Sequence, residues 1–317
     1  MKIVVTAPTR IGLFGGGTDL PSYSELYGGV VINMAINIYQ HIEIDTLSNS
    51  WEMPENSPDS FYIPFFHEFK EHTLTGLKAS FDGFIESGLG SSASAAVALV
   101  AGLSKLKGIE LNKKEIAEKA FNIEVNKLGM FGGKQDQYAS AFGGMNWWKF
   151  YKEGLNVRQI PIDREIANNL AQNIMLFYLG FNRKSVKIQD NLKTLSQKQI
   201  EVLNGIKDIA GRVYEYIIQG NIRKVGKLLN ESWELKKRSN TVSNNKIDKI
   251  YKVAMEAGAL GGKLCGSGGG GHMIFLVEKD KQDRVEKAIE KAIEKAIGLK
   301  RIDYSIDYNG VMARRIE

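Results

Sequence analysis

An α+β protein of two domains is what this sequence predicts, and three observations carry the prediction. The chain has 317 residues, which is long for one core and comfortable for two. Strand-like runs and amphipathic helical runs occur in both halves. No apolar run approaches the roughly 20 residues that a bilayer span needs, and a lone cysteine, Cys265, excludes a disulfide framework or a multi-cysteine zinc site.

The elements follow in order. Lys2 to Thr6 reads as a buried strand. "VVINMAINIYQHIEIDTL" (30–47) is strand material that ends in the alternation of Ile42 and Ile44 with Glu43 and Asp45. Residues 48–80, with "NSPDS" and scattered aromatics, show no assignable period. Ala93 to Lys107 reads as a helix whose small residues suit close packing on a sheet. "NKKEIAEKAFNIEVNKLG" (112–129) is an amphipathic helix: Asn112 caps it, Glu115 completes a capping box and Gly129 ends it. "GGMNWWKF" and "NIMLFYLGF" read as strands, and Ser196 to Ser239 as largely helical. The last third reads as helix, strand ("HMIFLV"), helix and strands ("RIDYSID", "VMARRI"). Its second helix, "DRVEKAIEKAIEKAIG", sets Val285, Ile289, Ile293 and Ile297 on one face, as one helix packed on a sheet requires. A boundary between residues 160 and 169 gives domains 1–165 and 166–317.

Charge narrows the function classes. Lys plus Arg number 42 against 36 for Asp plus Glu, a surplus of +6 that suits a phosphorylated small molecule or a solubilising surface. No basic stripe with interleaved aromatics points to nucleic acid. The N-terminus is a strand entering a glycine turn, not a secretion signal, so a cytoplasmic protein without membrane attachment is expected. "GLFGGG" lacks the spacing of a dinucleotide-binding fingerprint, which disfavours an oxidoreductase.

Glycine carries the chemical signal. "GLFGGGTD" (12–19), "SGLGSSAS" (87–94) and "GGKLCGSGGGG" (261–271) stand far apart, and each alone reads as a turn or as a ligand loop. The second runs N–H groups and hydroxyls into a helix N-terminus, which favours an anion, yet it has no lysine. In the third, Lys263 precedes a run of four glycines, a pattern that implies close backbone approach to something. Glu124 reads as a Mg²⁺ ligand or a solvated helix face, and Asp136 as a proton acceptor or a turn residue.

Taken together, "APTRIGLFGGGTD", "SGLGSSAS", "GGKQDQYASAFGG" and "GGKLCGSGGGG" resemble, in order and placement, the GHMP small-molecule kinases over nearly the whole chain. Within them the combination is most similar to the sugar-kinase branch containing the D-glycero-D-manno-heptose 7-phosphate kinases. The resemblance implies an N-terminal domain with a left-handed βαβ crossover and a C-terminal ferredoxin-like domain. It implies ATP over Ser87, Gly88, Leu89, Gly90, Ser91, Ser92, Ala93 and Ser94, and Mg²⁺ on Ser92 and Glu124. Asp136 matches the catalytic aspartate and Arg10 the cation that supports it. A sugar site is expected from Gly16, Gly17, Thr18, Asp19, Gly133, Lys134, Lys263, Gly268, Gly269 and Arg183.

Galactokinases carry Glu-His where this chain has Gly16 and Gly17, so a larger sugar fits, such as a heptose phosphorylated at carbon 7. Arg183, Lys184, Lys187 or Lys263 would meet that phosphate. The expected reaction is phosphorylation at O1 to the 1,7-bisphosphate, for nucleotide-activated heptose and surface glycans. The alternatives are a 1-kinase for fucose, galactose or a related sugar, and a non-catalytic sugar sensor. The expected partners are ATP and a sugar phosphate, with a homodimer left open. Before the phosphate loop the family carries prolines and a glycine, where this chain has Phe84, Ile85 and the acidic Glu86.

Overall fold

The computed structural model describes residues 1–54, 58–71, 75–85, 87–151, 157–181, 195–239, 242–292 and 298–316. Glu86, Arg183, Lys184, Lys187, Ile293 and Ile297 lie outside the described residues.

Two long antiparallel strands form the backbone of the first half, β1 (Lys2–Phe14) and β2 (Gly29–Asp45). A short helix, α1 (Pro21–Tyr27), follows the glycine turn between them. β1 runs well past Thr6, because a register shift between Pro8 and Thr9 absorbs the proline. That shift also exchanges the faces of the strand. Ile3, Val5 and Ala7 join one core, whereas Ile11 and Leu13 join another.

The stretch without a clear period holds β3 (Trp51–Glu52), α2 (Asp59–Glu68) and β4 (Gly76–Phe81). α3 (Ser91–Leu106) lies along β1 and β2, and its alanines and Gly102 permit the close approach. A Cβ on Gly102 would stand 2.9 Å from Ile44 Cδ1 and 3.0 Å from Val5 Cγ2. α4 (Lys113–Phe121) opens on the expected capping box: Asn112 Oδ1 accepts from Glu115 N, and Asn112 N donates to Glu115 Oε2. One π-helical turn, Asn122–Lys127, then precedes α5 (Gln135–Phe142).

β5 (Met145–Phe150) pairs with β2 and with β6 (Val157–Pro161). With β11 (Met312–Ile316) these strands make a seven-stranded sheet of path β11-β1-β2-β4-β3, with β5 and β6 as a branch from β2. The end of the chain thus returns to pair with β1. The other end of the first half is α6 (Arg164–Gln172), which contains both 165 and 166.

The second half builds a four-stranded antiparallel sheet of order β10-β7-β9-β8, from β7 (Ile174–Tyr178), β8 (Gly261–Leu264), β9 (His272–Leu276) and β10 (Lys300–Ile302). Helices α7 (Gln197–Ile218), α8 (Ile222–Ser239) and α9 (Asn245–Ala257) separate β7 from β8. α10 (Gln282–Ala292) separates β9 from β10 and buries Val285 and Ile289. Helical crossovers around a 4-1-3-2 antiparallel sheet are the ferredoxin-like arrangement. A shared core, with Ile11, Leu13 and Met34 against Leu176, Ile209 and Val213, joins the two halves and fixes the site between them.

Candidate active site

The face exchange in β1 directs Arg10 toward α5. Its Nε donates to Asp136 Oδ1 at 2.6 Å and its Nη2 to Oδ2 at 2.5 Å, a two-point contact that sets the plane of the carboxylate. Arg10 is only 6 % exposed. Its third contact is Nη1 to Gly88 O at 2.6 Å, and its backbone N–H donates to Leu89 O at 3.0 Å. One arginine therefore ties the serine-glycine loop 87–94 to the aspartate. Gly90 caps α3 in the left-handed region at φ 78°, where a Cβ would stand 3.2 Å from Asp136 Oδ2. It offers no side-chain cap, so the first-turn N–H groups are left for an anion.

The third glycine segment makes its close approach to the loop itself. A Cβ on Gly266 would meet Gly88 Cα at 2.7 Å, and one on Gly271 would meet Ser87 O at 2.3 Å. His272 N donates to Ser87 O at 2.9 Å. Ser87 and Ser94 spend their hydroxyls on backbone carbonyls, of Phe84 and Ser91 respectively. Ser91 and Ser92 remain half-buried at the helix start.

Glu124 is not a solvated helix face. It sits in the π-helical turn and is 4 % exposed. Gln137 Nε2 donates to its Oε2 at 2.7 Å, and Ser92 adds a side-chain hydrogen bond. Burial pushes this carboxyl up to about 7, with the Asp136 charge adding and the Ser92 and Gln137 bonds opposing. Gln137 Oε1 is buried with no partner among the described residues. A hydroxyl and a carboxylate are hard oxygen donors, and no described group of three or more His, Cys, Asp or Glu could hold an ion alone. This sparse set fits Mg²⁺, which takes one or two carboxylates and completes its shell with phosphates and water.

At the other end Asp19 is held by Gln135, whose N donates to Oδ2 at 3.1 Å and whose Nε2 donates to Oδ1 at 2.8 Å. Burial first, and then the Asp136 charge, raise Asp19 to about 6. A cavity of about 170 Å³ joins Asp19 and Gln135 to Asp136 and Arg10, with Lys236 and Lys263 in the same wall. Gly16 opens on it: nothing stands within 4 Å of where its Cβ would be. Gly133 is needed for Asp19, because a Cβ there would lie 2.0 Å from Asp19 Oδ2. Gly133→Ala is therefore expected to raise the sugar KM by about 10-fold or more while the ATP KM is kept; initial rates with each substrate varied in turn measure this.

Several expected site residues lie elsewhere. Thr18 is fully buried, its hydroxyl donating to Gly15 O and Val30 O, so it holds the turn. Lys134 pairs with Glu118 at 2.8 Å and is absent from the cavity wall. Gly268 and Gly269 pack on Val242, with Gly269 N donating to Val242 O at 2.8 Å. Sequence reasoning missed Lys236, Gln135 and Gln137. The two glutamines flank Asp136 in "KQDQY", which was a usable signal, but Lys236 in "ELKKRS" has none.

Comparison with known proteins identifies the family. Residues 64–144 match the GHMP kinases N terminal domain and residues 213–295 the GHMP kinases C terminal domain. The D-glycero-alpha-D-manno-heptose 7-phosphate kinase of Campylobacter jejuni is 32 % identical, over 91 % of this chain and 94 % of its own. A galactokinase of Pyrococcus furiosus is 27 % identical over 91 % of this chain and 92 % of its own. The crystal structure of a D-glycero-D-manno-heptose 1-phosphate kinase from Bacteroides thetaiotaomicron superposes with a TM-score of 0.79 at 26 % identity, covering 99 % of both chains. The chain belongs to the GHMP kinase family and is an ATP-dependent sugar kinase.

Proposed function

We propose that this kinase phosphorylates the anomeric hydroxyl of D-glycero-D-manno-heptose 7-phosphate, yielding the 1,7-bisphosphate and ADP. The observation that carries the reading is the single cavity linking the Arg10–Asp136 pair to Asp19 and to the space over Gly16. The similarity to a heptose 7-phosphate kinase supports it. On this reading residues 1–165 carry the nucleotide loop and the transfer groups, while 166–317 supply Lys236, Lys263 and the glycine segment behind the loop.

The sugar O1 attacks the γ-phosphorus, the bond from that phosphorus to the bridging oxygen of ADP breaks, and the O1 proton passes to Asp136 or leaves with its help. Arg10 fixes the carboxylate plane and offers positive charge beside the transferred group. Asp19 accepts a sugar hydroxyl, and Gln135 holds Asp19 in place. The first turn of α3 receives the phosphates of ATP. Ser92 and Glu124 would hold Mg²⁺, which when bound neutralises phosphate charge. Transfer of this kind rests on positioning and electrostatics, so a loop without lysine suffices.

A coupled ADP-release assay across heptose 7-phosphate, mannose, fucose and galactose tests the substrate. The expected kcat/KM for heptose 7-phosphate exceeds the others by about 100-fold or more. Turnover confined to unphosphorylated sugars overturns it.

A further inference from the structure

The carboxylate of Glu124 is held by a neutral side chain that has a second polar end to spare. Glu124 lies in the π-helical turn after α4 and is 4 % exposed. Two other helices reach it. Ser92, in the first turn of α3, bonds the carboxylate, and Gln137, in the first turn of α5, donates from Nε2 to its Oε2 at 2.7 Å. Gln137 is itself only 2 % exposed.

Chemistry fixes which way round the Gln137 amide sits. An ionised carboxylate only accepts hydrogen bonds, so the NH₂ end must face Glu124 and the carbonyl end must face elsewhere. That carbonyl oxygen, Oε1, is buried and has no partner among the described residues. Burying an acceptor without a donor is unfavourable, and a donor that arrives with a bound ion removes the penalty.

The neutrality of the holder matters as well. A lysine or arginine at this position would grip the carboxylate harder, but it would cancel the charge that attracts a cation. An amide fixes the carboxylate and leaves its charge intact. Mg²⁺ binds through one or two carboxylates and keeps several waters, each of them a donor. A side chain that donates to the carboxylate and still offers an acceptor therefore suits the rim of such a site. Gln137 also follows Asp136 on α5, and Asp136 takes two bonds from Arg10. One helix thus carries the aspartate and the group that holds Glu124, which keeps the two carboxylates in register.

We propose that Gln137 is a positioning residue for the metal: its amide nitrogen sets the direction of the Glu124 carboxylate, and its carbonyl accepts from water that the cation carries. The inference rests on the assignment of Mg²⁺ to Ser92 and Glu124 above and adds the group that orients the carboxylate.

Mn²⁺ binding read by electron paramagnetic resonance tests it, on the full chain saturated with a non-hydrolysable ATP analogue. Wild type is compared with Gln137→Met, which keeps the length of the side chain and removes both polar ends. The Mn²⁺ affinity of the variant is expected to fall by about 10-fold or more. In the kinase assay its half-maximal Mg²⁺ concentration is expected to rise in step, with kcat at saturating Mg²⁺ and the sugar KM each within about threefold of wild type. That recovery with added Mg²⁺ is the readout a merely structural role would not produce. The metal-free variant is expected to melt within about 3 °C of wild type, because the lost bond and the removed orphan acceptor offset each other. A Mn²⁺ affinity within about twofold of wild type overturns the role, as does a rate deficit that saturating Mg²⁺ does not restore. If Gln137→Met does not fold, Gln137→Asn, which keeps the amide and shortens its reach, is read by the same criteria. Glu124→Gln separates the two ways of failing. Affinity lost in Glu124→Gln and kept in Gln137→Met sinks the role of Gln137 alone, whereas affinity kept in both places the metal away from Glu124 and sinks the assignment beneath it.

Discussion

Asp136→Asn is expected to lower kcat by about 10²–10⁴-fold while leaving ATP affinity within a few-fold of wild type. On the proposed reading the nucleotide is received by backbone N–H groups at the start of α3, which the substitution does not touch. Asparagine still accepts a hydrogen bond from Arg10, but it can neither take the O1 proton nor balance the guanidinium charge. Asp136→Ala is expected to be as inactive and also less stable, by about 3 kcal/mol, because it leaves a buried arginine without its carboxylate. A coupled ADP-release assay reads the rate, calorimetry with ATP reads the affinity, and thermal melting separates the two variants. Turnover near the wild-type rate in either variant would remove Asp136 from the transfer step.

Glu124→Gln is expected to trade function for stability. The folded protein holds this carboxyl at about 7 against an ordinary 4.5, so the native state binds more protons than the unfolded chain between those values. Stability of the metal-free protein therefore falls as pH rises through that window, and the cost is complete above about pH 7. Glutamine removes the charge and keeps a group that can pair with Gln137. At pH 8 with chelator the variant is expected to be more stable than wild type by up to about 3 kcal/mol, and at pH 4 nearly equal to it. In the kinase assay its half-maximal Mg²⁺ concentration is expected to rise more than about 10-fold. Denaturant titrations at the two pH values and rate measurements over a magnesium series check both halves of the expectation. A variant less stable than wild type at pH 8 would show that the buried charge is compensated.

The glycine-flanked chemistry was legible because each motif has a local reason. Gly90 allows a left-handed cap against Asp136, and Gly133 leaves room for Asp19, so the residues around those glycines are constrained in sequence as well as in space. The helix start at Asn112 and Glu115 was legible for the same reason, since both hydrogen bonds of the box are made within four residues.

What was not legible depends on distant parts of the chain. Pro8 in "TAPTR" reads as the end of a strand, yet the strand continues, because a shift in pairing with β2 accommodates it. That same shift aims Arg10 at a residue 126 positions away. The π-helical turn that buries Glu124 has no period of its own to read and continues smoothly from α4. α2 carries Pro64 inside it, which hides the helical pattern. The glycine segment 261–271 implied a close backbone approach without saying to what, and Gly266 together with Gly271, the last of the four-glycine run, makes that approach to the distant loop at Ser87 and Gly88. Lys236 becomes special only when α8 docks against the loop at Gly266.

Phosphorus NMR of the product made from heptose 7-phosphate and ATP is the most direct test of the assigned chemistry. A second phosphomonoester coupled to the anomeric proton, formed by wild type and absent with Asp136→Asn, is the expected result. A new phosphoester on any other carbon, or ATP consumption with no new sugar phosphorus signal, would contradict it.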